Sequence, residues 1–319
     1  MTSHWSIAGI PLVLGGNVFG WTVDGEQGRA VLDAFYEAGG RMIDTADVYS
    51  AWIPGHAGGE SERFIGQWLE SRGVRADMHI HTKTGMLSRN NEVRFGDAGD
   101  PDLYRPAEVL ASLDASLERL RTDYLDLYYA HRDYPVLPVE QIVEAFDGAA
   151  RSGKVRELGA SNFTAERLAA ALDAAQAAGA TPFTVLQNQY NLVARDDYGP
   201  ELQRLCTARG IAMLPFFGLA SGYLTGKYRK PEDFEQGNRS HRVRDFDEAG
   251  RPILAEMDRI AKETGASLPA IALAWLVRQP GIPAPIASAR TVGQLEQMLA
   301  FTRLELSDDQ LARLTAAGA

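Results

Sequence analysis

The chain has 319 residues, 45% apolar and 23% charged, a globular composition long enough to bury a large core. Its formal net charge is −10 with no Lys/Arg cluster against that background, so its field repels nucleic acid and anionic membrane. The single cysteine, Cys206, excludes an intramolecular disulfide and a thiolate metal site; no segment is apolar for long enough to span a bilayer, and MTSHWSIAGIPLVLGG lacks the features of a secretion signal, so a soluble cytoplasmic protein is expected.

Short apolar runs read as strands at 12–15, 42–44, 78–82, 125–129, 157–160, 185–187, 212–216 and 282–285, several bounded by Gly or Pro. Between them lie helical patterns: GRAVLDAFYEAG, ESERFIGQWLESRG, PAEVLASLDASLERL, PVEQIVEAFDGAARSG, AERLAAALDAAQAAG and PELQRLCTARG, most closing on a glycine. Length alone suggests two domains, but eight strand–helix units with short connections predict a parallel sheet closed into one (β/α)8 TIM barrel over 1–319. Two connections are longer, near 50–60 and 227–252, and are expected at the C-terminal face, where such loops close over ligands.

Three of the early strands end on polar residues suited to carbonyl chemistry. Asp44 closes RMID and Tyr49 follows five residues later; Lys83 follows MHIHT, and His131 follows YLDLYYA. Any one alone is an ordinary polar residue, but strand ends of a parallel barrel converge on one face, so the four can share a pocket. A phenol has an unperturbed pKa of about 10 and releases its proton usefully near neutrality only if a nearby cation favours the phenolate. Lys83 is placed to be that cation, Asp44 its counter-ion, and His131 a hydrogen-bond donor to a substrate oxygen.

In these residues the chain resembles the aldo-keto reductases, whose tetrad is an Asp, a Tyr five residues on, a Lys after the next strand and a His after the following one. Further family segments follow in order: SNF at 161–163, the Gln of VLQNQYN, LPFFGLASGYLTGKY and PIASARTVGQLEQ. The resemblance implies an NADP(H)-dependent oxidoreductase that reduces an aldehyde or ketone, with Tyr49 as general acid and no metal. It places Ser161, Asn162 and Gln187 on the nicotinamide amide, Phe216 on its ring, and Leu219, Ser288, Arg290 and Gln294 along the phosphates, Arg290 meeting the 2′-phosphate and so favouring NADPH. No GxGxxG follows a strand here, so the dinucleotide is not held in the Rossmann manner.

The chain departs from the family where Phe216-Phe217-Gly218-Leu219 replaces the common Tyr-Ser-Pro-Leu, where Met298 replaces an Asn that often contacts adenine, and at GGNVFGW, where Asn17 is a candidate for the cofactor or substrate pocket. Trp21, Trp52 and Phe19 line an apolar pocket for a small carbonyl substrate on one reading and pack the barrel on another. The alternative function is a nicotinamide-binding, redox-sensing regulatory module resembling potassium-channel β-subunits, with little turnover. Oligomeric state leaves no mark on the sequence.

Overall fold

The computed structural model describes residues 5–87, 101–235 and 243–318. Eight parallel strands, β1 (Val13–Gly15), β2 (Met42–Asp44), β3 (His79–Thr84), β4 (Leu125–Ala130), β5 (Val155–Ser161), β6 (Phe183–Gln187), β7 (Ala212–Met213) and β8 (Ile286–Ala287), pair in the order β7, β6, β5, β4, β3, β2, β1, β8. The two edges meet where Met213 N–H donates to Gly281 O (2.8 Å) and Ile286 N–H donates to Pro215 O (2.9 Å), which curls the sheet into a (β/α)8 barrel.

Helices α1 (Gly25–Glu37), α2 (Glu60–Arg72), α3 (Pro106–Leu120), α4 (Val139–Arg151), α5 (Ala165–Ala178) and α6 (Pro200–Arg209) fill the six expected patterns. Three of them stop at a left-handed glycine, Gly73, Gly179 and Gly210, whereas α3 ends on a left-handed Arg121. Further helices among the described residues, α7 (Asp247–Thr264), α8 (Leu268–Leu276), α9 (Val292–Leu299) and α10 (Asp308–Ala317), were not among the expected elements. In α8 all residues from Pro269 to Leu276 are buried, so no polar face marks it as a helix.

Three expectations need correction. The eighth strand lies at Ile286–Ala287 and not at 282–285, because Pro283 and Pro285 have no N–H to give a ladder. β7 stops at Met213, two residues before Pro215, although Phe216 still bridges to Gln189. The loop expected over 227–252 gives way to α7 at Asp247, with Pro252 inside that helix, and residues 236–242 lie outside the described residues.

Strand side chains alternate between two packed layers. Val13, Met42, Leu127, Tyr129, Val185, Ala212, Leu214 and Ile286 form the barrel's interior with Trp5, while Leu14, Ile43, Ile80, Tyr128, Leu186 and Ala287 join the larger core beneath the helices. Because the side-chain period along a strand is two, the inward series of β2, β3, β4, β6 and β8 continues into Asp44, Lys83, His131, Gln187 and Ser288 at the C-terminal mouth. The sheet's pleat thus gathers these polar groups.

Candidate active site

Lys83 Nζ donates to Asp44 Oδ2 at 2.6 Å, to the Thr45 carbonyl at 2.7 Å and to Tyr49 Oη at 3.0 Å, which commits all three ammonium protons. Gln187 Nε2 occupies the other carboxylate oxygen, Asp44 Oδ1, at 2.9 Å. Burial works against the Lys83 charge, but Asp44 and Tyr49 outweigh it and hold the ammonium above the ordinary lysine range. Burial likewise pushes the Asp44 carboxyl up, with Lys83 and Gln187 pulling against it. The His131 ring lies 6.1 Å from the half-buried Tyr49 ring. Burial first, then the Lys83 and Arg132 charges, keep His131 well below the usual histidine range, so it is a neutral imidazole. A phenol bonded to an ammonium and flanked by a neutral imidazole can orient a carbonyl oxygen and pass it a proton.

The loop carrying Tyr49 is anchored from outside the barrel. Thr45 N–H donates to His81 O (2.8 Å) and Asp47 N–H to Lys83 O (3.1 Å), extending the β2–β3 ladder past Asp44. Beneath it Glu62 of α2, fully buried, accepts from Thr82 Oγ1 (2.6 Å) and from Arg119 Nε of α3 (2.6 Å). Gly59 lies flat on Arg119, where a Cβ would come within 2.3 Å of the arginine stem. The segment after His131 is pinned by a bidentate contact of Arg167 with Asp133 (2.7 and 2.8 Å).

Ser161 ends β5 in register with Gln187, and Asn162, left-handed at φ 59°, donates to the His131 carbonyl (2.9 Å) and to Ser161 Oγ (3.1 Å). Phe216 is half-buried after β7, its ring 5.1 Å from that of Phe217. Leu219 opens a turn in which Ala220, Ser221 and Gly222 are all left-handed, as is Phe217 before it. Ser288 Oγ donates to Asn17 Oδ1 (2.9 Å), joining the end of β8 to the loop after β1. Arg290 is exposed just before α9; its N–H donates to Gln294 Oε1 (2.9 Å) and its carbonyl accepts from Gln27 (2.7 Å).

The sequence profile of the Aldo/keto reductase family matches residues 11–319. The chain belongs to that family. It is 33% identical to norsolorinic acid reductase stcV of Emericella nidulans, over 96% of this chain and 78% of that protein. It is 30% identical to aldo-keto reductase str7 of Strobilurus tenacellus (94% and 83%) and 29% identical to an aryl-alcohol dehydrogenase [NADP(+)] of Phanerodontia chrysosporium (91% and 75%). The protein is accordingly an oxidoreductase acting on carbonyl groups, with a small-molecule carbonyl substrate. No helix among its described residues is long and apolar enough to cross a membrane.

In this aldo/keto reductase the aromatic residues expected either at the pocket or in the packing fall in two groups. Phe19 is fully buried and stacks on Phe64 of α2 at 5.3 Å, so it belongs to the packing outside the barrel and lines no pocket. Met298, on α9, is buried in the core. Trp21 and Trp52 do stand together, edge to face at 5.5 Å, and the Trp52 ring is 6.0 Å from that of Tyr49. The Asp47, Glu62 and Arg119 support escaped the sequence reading. Its signal was a carboxylate, Glu62, on the same helical stripe as the buried Ile65, Gly66 and Leu69.

Proposed function

We propose that this aldo/keto reductase reduces aryl aldehydes or aryl ketones to alcohols at the expense of NADPH, working in the cytoplasm, with Tyr49 as the proton donor. The observation that carries the reading is the Lys83 ammonium bonded at once to Asp44 and Tyr49 in a buried site. Tyr49 gives its proton to the carbonyl oxygen, and Lys83, held by Asp44, stabilises the phenolate that remains. Neutral His131 presents a hydrogen bond that orients that oxygen. The Trp21 and Trp52 rings, contiguous with Tyr49, offer flat apolar surface to a conjugated carbonyl, in keeping with the aryl-alcohol activity that one relative's name states.

The donor set fits a nicotinamide dinucleotide. Ser161 and Asn162 would hold the carboxamide beside His131, with Gln187 next to them but committed to Asp44, and Phe216 would face the ring. Consecutive left-handed residues at 220–222 supply the kind of backbone nest that receives phosphate, and Ser288, Gln294 and Arg290 would serve the adenosine end. When bound, NADPH supplies the hydride that reaches the carbonyl carbon.

The test is turnover of 4-nitrobenzaldehyde with NADPH by the wild-type chain and by Tyr49→Phe. Many turnovers are expected from the former, and a loss of roughly 10²–10⁴-fold with NADPH binding preserved from the latter. A single slow oxidation across a panel of carbonyls, with oxidised cofactor retained, would replace this reading by the redox-sensing module.

A further inference from the structure

Below the Asp44–Lys83 pair the barrel carries a second polar tier that carbonyl reduction does not use. His81 precedes Lys83 by two residues on β3 and pairs in register with Asp44, so its ring points inward. It is fully buried, and neither ring nitrogen has a hydrogen-bond partner. Tyr129, in register with Lys83 on β4, is also fully buried, and Gln187 lies close to its hydroxyl without completing a hydrogen bond of ordinary geometry. The His81 and Tyr129 rings are 6.4 Å apart, and Lys83 Nζ is 5.8 Å from the centre of the Tyr129 ring. The Tyr129 ring has room because Gly159 faces it on β5, where a Cβ would fall 2.3 Å from the ring.

Buried polar atoms in folded proteins find partners, in protein or in ordered water. No protein group completes these bonds directly: Lys83 has spent its three protons, whereas each Asp44 oxygen accepts one hydrogen bond and keeps a second lone pair that a water between them can fill. The charged and titratable groups around the tier are His79 and Lys83 on β3, Asp44 on β2, Tyr49 above and Glu157 on β5. Burial, then the His79 and Lys83 charges, push His81 down to about 3, so the ring is neutral, with one donor and one acceptor to satisfy. An enclosed space lined by such atoms takes up water, where an apolar one stays dry.

We propose that His81 and Tyr129 hold ordered water inside the barrel, and that this hydrated tier is a positioning device that braces Asp44 and Lys83 from below and keeps the ammonium on Tyr49. Only its kinetic consequence rests on Tyr49 being the acid. A high-resolution crystal structure of the wild-type chain is expected to show water within hydrogen-bonding distance of His81 and the Tyr129 hydroxyl; a dry gap there overturns the proposal. In His81→Leu an apolar side chain displaces the water, and a less firmly held ammonium favours the phenolate less. The alkaline limb of the kcat–pH profile then moves up by about 0.5 unit or more, while His81→Gln keeps it in place. An unmoved limb in folded His81→Leu overturns the positioning role. Should that variant not fold, Tyr129→Phe carries the same expectation, and should both fail, the hydration of the wild type decides. Absence of turnover in the wild type would count against Tyr49 as acid and leave the water measurement to decide this proposal.

Discussion

Asp47 stands two residues before Tyr49 with one carboxylate oxygen buried and unpartnered, close to Glu62, and the two carboxylates share one cation, Arg119. Burial, then the Glu62 charge, raise its pKa from 3.8 to about 7. The folded chain therefore keeps a proton that the unfolded chain has released between those values, so stability from this group falls as pH rises through that window and is fully lost above about 7. Asp47→Asn should gain on the wild type by on the order of 3–4 kcal/mol between about pH 4 and pH 8, read from denaturant midpoints at each pH. A constant difference across that range would show that Asp47 is already ionised at low pH. At the cofactor end, Arg290→Ala should weaken NADPH binding roughly ten- to hundred-fold and leave NADH nearly unchanged, since only the former has a 2′-phosphate to grip. Equal losses would make Arg290 a support for the loop. Tyr49, Lys83 and His131 were legible because residue type and strand context are local signals. The Gln187 bond to Asp44 spans 143 positions and the Ser288 bond to Asn17 spans 271, and nothing local announces either.

α2, β3 and α3 are tied by charge as well as by packing, through Glu62 to Thr82 and Arg119. Glu62→Ala removes the hydrogen-bonded carboxylate from a largely buried guanidinium and leaves it only the Asp47 charge nearby, so it should cost about 3 kcal/mol, measured as a fall in unfolding free energy. Because the same contact lies under the Tyr49 loop, kcat should fall with it even where the variant is folded; full activity would uncouple the support from the site. The six early helices were readable from their 3.6-residue stripes, and the strands β1 to β6 from apolar runs. Elements after α6 were less readable for physical reasons: prolines move the ladder of β8, α8 is apolar all round, and α7 contains Pro252 within a charged stretch that reads as a loop.

Across the molecule the barrel is held unevenly. β3, β4 and β5 share long ladders, with Leu127, Tyr128, Tyr129 and Ala130 each paired on both sides, whereas β8 meets β1 only at Val13 and Leu14 and meets the β7 segment through isolated bonds beside prolines. Amide hydrogen exchange should accordingly be fastest, among strand amides, at Val13, Met213 and Ile286 and slowest at the centre of β4. Uniform protection around the ring would refute this gradient. The pairing of Val13 with Ile286 also has a meaning for biosynthesis. A ribosome releases β1 long before β8 exists, so the nascent chain carries an open edge on β1, a template for stray strands, until β8 has been made. Asn17 waits equally long for Ser288, and this side of the barrel mouth is completed only when the end of β8 emerges.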